Sequence, residues 1–134
     1  MSIAVRYFSK TGNTQKVADE LAQHLNVEAQ TVDTPLPEHV DQLFLGGAIH
    51  MGSIDKELKA FVAKLDPAQV GTVTMFGTSG GVMSIGHGLE KELKAQHLNV
   101  SQHRLFLHGM MPSKKALSDD EKEKIAAFAQ QSLK

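Results

Sequence analysis

From Ser9 to Thr14 the chain reads Ser-Lys-Thr-Gly-Asn-Thr, with no acidic residue and a single lysine. Ser9, Thr11 and Thr14 supply hydroxyls, Asn13 an amide, and Gly12 lets the backbone approach a ligand closely. An apolar run leads into this segment, and an amphipathic helix pattern leaves it. The start of a helix presents unpaired backbone N–H groups and the positive end of the helix dipole, which suits an anion. A phosphate monoester matches this donor set, held mostly by neutral groups. The ordinary alternative is that Thr11–Asn13 merely cap the helix. A cap needs one such residue, and this segment offers several around a glycine.

Other phosphate chemistries lack their residues. The pattern G-x-x-x-x-G-K-[ST] is absent, and no G-x-G-x-x-G follows the first strand. No acidic residue stands at the end of that strand, as a receiver domain would need. There is no cysteine, which excludes a thiol nucleophile, a disulfide and a cysteine-held metal cluster. Charge is nearly balanced, with 14 basic against 15 acidic residues, so a nucleic-acid surface is not expected. No apolar run is long enough to span a membrane, and no basic leader is visible. These features lead us to expect a cytoplasmic protein forming one domain over residues 1–134.

The elements that must position the segment follow from periodicity. Ile3–Ser9 reads as a buried strand. Asn13–Leu25 reads as a helix, with Val17, Leu21 and Leu25 on one face. Val27–Val32 is a second strand, and Pro35 and Pro37 make Asp33–Gln42 a loop or at most one helical turn. Gln42–Ile49 is a third strand, Asp55–Leu65 a helix, and Thr72–Thr78 a fourth strand. A glycine-rich loop then enters a helix from about Gly86 to His97. His103–His108 is a fifth strand. A last helix starts at Ser118, which has capping-box spacing to Glu121.

Strands alternating with helices predict an α/β fold, a doubly wound five-stranded parallel sheet of order 2-1-3-4-5 with helices on both faces. Ligands bind such sheets beyond the carboxyl ends of the strands, where strand order reverses. Three loops meet there: Ser9–Thr14, Ile49–Ser53 and Ser79–Gly88.

Ser9-Lys10-Thr11-Gly12-Asn13-Thr14 resembles the [ST]-x-T-G-x-T loop of flavodoxins, which binds the phosphate of FMN. The likeness covers most of the chain and fits the short-chain, flavodoxin-like group. The stretch "LGGAIHMGSIDKELKAFVAKL" is also similar to the strand-three region of the menaquinone-dependent protoporphyrinogen oxidase branch. The resemblance implies that Ser9, Lys10, Thr11, Gly12, Asn13 and Thr14 surround the phosphate. It implies that Ala48, Ile49, His50, Met51 and Gly52 line one face of the flavin ring. Thr78, Ser79, Gly80 and Gly81 would border the other side, offering backbone N–H groups.

Two departures shape the expected function. Flavodoxins usually sandwich the ring between aromatics, yet Tyr7 lies inside the first strand and neither ring loop holds an aromatic. Aromatic stacking contributes about 0.5–1.5 kcal/mol per pair, so weaker FMN binding is expected. Flavodoxins are also usually strongly acidic, whereas this chain has a net charge of −1 and seven histidines. His50 and His87 are candidates for contact with the flavin or for ordinary loop positions; His24, His39, His97, His103 and His108 read as surface or edge residues. Met51, Met83, Met110 and Met111 are candidates for an apolar rim or for loop filling. The implied function is electron transfer through FMN, with redox partner proteins or a small quinone-like acceptor. The alternative is an FMN-dependent oxidoreductase acting on a quinone or a porphyrinogen-type substrate.

Overall fold

The structure is a computed structural model that describes residues 2–50, 53–79, 85–108 and 116–133; at His50 and Ser53 it describes the backbone alone. The chain runs β1 (Ile3–Tyr7), α1 (Asn13–Leu25), β2 (Ala29–Thr31), β3 (Val40–His50), β4 (Ser53–Ile54), α2 (Lys56–Ala63), β5 (Val70–Thr78), α3 (Gly86–Ala95), β6 (Val100–Leu107) and α4 (Asp119–Ser132). The sheet order is β2-β1-β3-β5-β6, with every neighbouring pair parallel. These five strands stand in the order expected. The reversal falls between β1 and β3, which pair with Ile3 opposite Gln42 and Tyr7 opposite Gly46.

The sheet is buried on both faces, which is why β3 reads as an unbroken apolar run. Leu43, Phe44 and Leu45 are all fully buried. Leu43 and Leu45 pack with Leu58 and Val62 of α2 and with Leu89 and Leu93 of α3. Phe44 faces the other way, toward Val17 and Leu21 of α1 and Ile125 and Phe128 of α4. The Phe44 and Phe128 rings meet edge to face, with centroids 5.9 Å apart. Gly46 has a packing reason: a Cβ there would enter the Phe76 ring. Its absence lets Phe76 lie across β3 and complete this half of the core.

Several boundaries differ from the sequence reading. β1 ends at Tyr7 rather than Ser9, although the Phe8 N–H still donates to the Gly46 carbonyl at 3.2 Å. β3 starts earlier, at Val40, and a two-residue strand appears where the sequence suggested loop alone. That strand, β4, pairs antiparallel to the end of β3, with Ile49 opposite Ile54 and His50 opposite Ser53. β5 begins at Val70 and β6 at Val100. The connection between β2 and β3 holds no helix. It is fastened instead by Arg6 of β1, which is only 4% exposed. Arg6 donates to the carbonyls of Thr34 at 3.1 Å, Pro35 at 2.8 Å and Val5 at 3.1 Å. Burial holds its guanidinium below its ordinary pKa.

Helix ends follow their local chemistry. α1 closes at Asn26, which takes a left-handed conformation with φ 59°. The capping box of α4 is complete: Ser118 Oγ accepts from the Glu121 N–H at 3.1 Å, and Glu121 Oε1 accepts from the Ser118 N–H at 2.8 Å.

Candidate functional site

The segment from β1 to α1 turns at Gly12, whose φ of 91° is left-handed and costs a glycine little. Gly12 is itself the N-cap of α1, so no side chain caps this helix, and its first turn holds no acidic residue. The capping alternative therefore does not describe this helix start. The Ser9 hydroxyl accepts from the Gly12 N–H at 3.0 Å and closes the loop on itself. Asn13 and Thr14 are buried, at 2% and 1% exposure, while Lys10 and Thr11 are exposed.

Contacts to Thr78 and to Asp55 tie this loop to its neighbours. Thr14 Oγ1 lies 2.9 Å from Thr78 Oγ1 at the end of β5, a buried hydroxyl pair. Lys10 Nζ lies 3.0 Å from Asp55 Oδ1, whose side chain is 6% exposed. Asp55 is the N-cap residue of α2, yet its side chain makes no capping bond. A second lysine, Lys16, leans back from α1, and its Nζ donates to Asn13 Oδ1 at 3.3 Å.

The other expected residues fall on the same edge. Ala48 stands in register with Thr78, and both are largely buried. Ile49 is partly buried against the core on the α2 side. Ser79 is buried, its N–H donating to the Leu107 carbonyl at 2.9 Å. Its hydroxyl is 2.9 Å from His108 Nδ1. The backbone of His50 belongs to the β3–β4 pair. Met51, Gly52, Gly80 and Gly81 lie outside the described residues, as do Met83, Met110 and Met111. His87 is exposed near the start of α3. Tyr7 is buried in the core cluster that includes Val17 and Leu21. Burial, with the charge of Asp19 adding to it, raises the Tyr7 phenol above its ordinary pKa.

The structure thus brings residues 9–14, Ala48, Thr78 and Ser79 to one end of the sheet. Sequence reasoning passed over Asp55, Lys16 and His108, all of which touch those residues. Lys16 was within reach of a spacing argument, since it is one helical turn beyond Gly12. His108 was too, because Thr78 pairs with Leu107 and the next residues stand side by side. Asp55 carried no local signal.

Chemically, the first loop offers hydroxyl, amide and backbone donors, a glycine at a left-handed φ that a side chain would strain, and a helix start without a side-chain cap. That set fits a phosphate monoester. The cleft of about 350 Å³ lined by Val32, Leu36, Phe61 and Gln69 lies along the β2–β3 connection and includes none of these residues. Among the described residues no group of three or more His, Asp or Glu could hold a metal ion, and no helix is long and apolar enough to cross a membrane.

Comparisons with known proteins address the same region. A search of curated proteins finds no match. Oxidised Flavodoxin 1 from Bacillus cereus superposes with a TM-score of 0.73 at 20% identity, over 98% of this chain and 97% of that one. A flavodoxin from the domain Archaea gives 0.70 at 15% identity, over 98% and 95%. An NADH:FMN oxidoreductase in its apo form gives 0.70 at 19% identity, over 98% and 88%. At these identities the likenesses speak for the fold. A family model described as a flavodoxin domain matches residues 4–115, a span that takes in all three loops at the end of the sheet, and the chain belongs to that flavodoxin-domain family.

Proposed function

We propose that the protein is a cytoplasmic electron carrier, a single flavodoxin-like domain that binds FMN at this end of the sheet and serves redox partner proteins. The observation that carries the reading is the start of α1. A left-handed glycine caps it, no side chain caps it, and no acid sits in its first turn. This arrangement favours a bound anion over a side-chain cap.

Residues 9–14 would hold the phosphate. Ala48 to Gly52 would line one side of the flavin ring, and Thr78 to Gly81 the other. FMN, when bound, supplies the electron-transfer chemistry. The protein's own residues position and orient. The Thr14–Thr78 contact fixes the phosphate loop against the end of β5. The Lys10–Asp55 pair fixes it against the start of α2. Both contacts are made within the chain, which lowers the ordering cost of binding. With Tyr7 in the core, the ring lacks the stacking partner that the resemblance would call for, and a dissociation constant above the subnanomolar range is expected. Nothing in the comparisons favours the alternative of an oxidoreductase acting on a quinone or porphyrinogen.

The test is a visible absorption spectrum of the purified protein, before and after FMN is added and the excess removed. Retained flavin bands in the wild type, lost in Thr11→Ala/Thr14→Ala, are the expected result. A protein that never retains FMN overturns the reading.

A further inference from the structure

The cleft along the β2–β3 connection lies outside the flavin reading, and its walls have a chemistry of their own. It exists because that connection carries no helix, so a strap of chain lies beside α2 in place of a helical layer. Pro35 and Pro37 fix φ at two positions of the strap. The Gln69 side chain donates to the Pro37 carbonyl at 2.6 Å and fastens the strap to the turn before β5. A cleft held open in this way is formed before any ligand arrives, which lowers the ordering cost of binding. Its volume of about 350 Å³ falls within the range of small-molecule sites. Val32 and Leu36 of the strap, Phe61 of α2 and Leu65 just beyond α2 make its apolar part.

The charges around the cleft do not balance. Lys64 lines it, is exposed, and forms no ion pair among the described residues. Behind the strap, the buried Arg6 guanidinium bonds to the carbonyls of Val5, Thr34 and Pro35, and no carboxylate among the described residues pairs with it. Thr34 and Pro35 both line the cleft, and Arg6 engages their carbonyls, which would otherwise repel an anion. Against these two cations the described lining sets one carboxylate, that of Asp33. The Thr34 hydroxyl makes no hydrogen bond among the described residues and is able to donate. An excess of positive charge beside an apolar cleft attracts an anion with an apolar body. We propose that this cleft binds a small organic carboxylate with an aromatic or branched apolar body, with Lys64 and Thr34 as its donors. The apolar body fills the space between Leu36 and Phe61, and Arg6 supplies a fixed positive field that salt screens little because it is buried.

The experiment is an amide NMR titration of isotope-labelled protein, with and without FMN, using phenylacetate, its neutral amide phenylacetamide and the cation phenethylamine. Phenylacetate is expected to shift the amides of Val32, Leu36, Phe61 and Leu65 saturably. Its dissociation constant should lie roughly tenfold below that of phenylacetamide, with phenethylamine weaker still. Lys64→Gln narrows the gap between phenylacetate and phenylacetamide roughly threefold, Lys64→Arg keeps it, and Asp33→Asn widens it. Equal constants for the three probes, or a preference for the amine, overturn the assignment. A gap untouched by Lys64→Gln overturns it too, as does the absence of shifts at these four residues. FMN should leave the phenylacetate constant unchanged; competition between the two would place the probe at the flavin site instead and overturn the assignment. The titration reads the same in protein that retains no FMN.

Discussion

Thr14 and Thr78 are separated by 64 positions and share one buried hydrogen bond, so each is the other's means of staying dry at low cost. Thr14→Val leaves the Thr78 hydroxyl buried without this partner, which costs about 1–3 kcal/mol. Replacing both with valine removes both polar groups, and the double variant is expected to lose less than the single one. Urea unfolding of the flavin-free protein decides this; additive losses would mean that the contact contributes nothing to the fold. Gly46 gives a second test at this scale. Gly46→Ala drives a methyl group into the Phe76 ring. Overpacking of this kind costs about 1–3 kcal/mol. Phe76→Leu in the Gly46→Ala background opens the space again, and the pair should be more stable than Gly46→Ala alone. If the second change only adds to the damage, Gly46 is required for another reason.

Among the elements, α4 depends most visibly on its first turn. Ser118 and Glu121 satisfy each other's backbone N–H groups, and Asp119, Asp120 and Glu121 favour the helix dipole. Ser118→Ala is expected to lower unfolding stability by about 1 kcal/mol, with Ser118→Asp close to wild type; equal losses in both would remove the cap from the account. This helix start was legible in the sequence because a capping box is a local pattern. α1 was legible to the residue, since its apolar face repeats at helical spacing and Asn26 closes it. The parallel strands were legible as apolar runs, but their ends were not. Strand ends are set by pairing partners, so β3 extends back to Val40 beside β5. β4 escaped notice because two residues show no period. At the candidate site the letters of residues 9–14 pointed to an anion loop as a proposal, yet they could not say where each side chain goes. Lys10 turns to Asp55 because folding brings the two loops together, and nothing near either residue in sequence encodes it. Arg6 makes the same point: a cation in a strand that otherwise reads as buried is explained only by the carbonyls of Thr34 and Pro35.

At the scale of the molecule the deciding quantity is charge. A strongly acidic surround opposes placing further negative charge on a reduced flavin, and salt relieves that opposition. Here the net charge is −1, Lys16 contacts Asn13 in the loop of residues 9–14, and Asp55 is paired with Lys10. A unit charge at about 10 Å, with an effective dielectric near 20, shifts such a state by about 1.7 kcal/mol. For a one-electron couple this is on the order of 70 mV. With FMN bound as proposed, the lower of its two one-electron potentials should therefore lie above that of strongly acidic flavodoxins. The same argument fixes its response to salt. With little net charge to screen, the potential should move by less than about 40 mV between low and high ionic strength, the equivalent of about 1 kcal/mol. Spectroelectrochemical titration at two salt concentrations reads both quantities. A very low potential that climbs steeply with salt would mean that local acidic groups, rather than the balance of the whole surface, govern the flavin. A potential that is high and nearly independent of salt would also mean that docking of redox partners relies on shape and apolar contact more than on long-range steering.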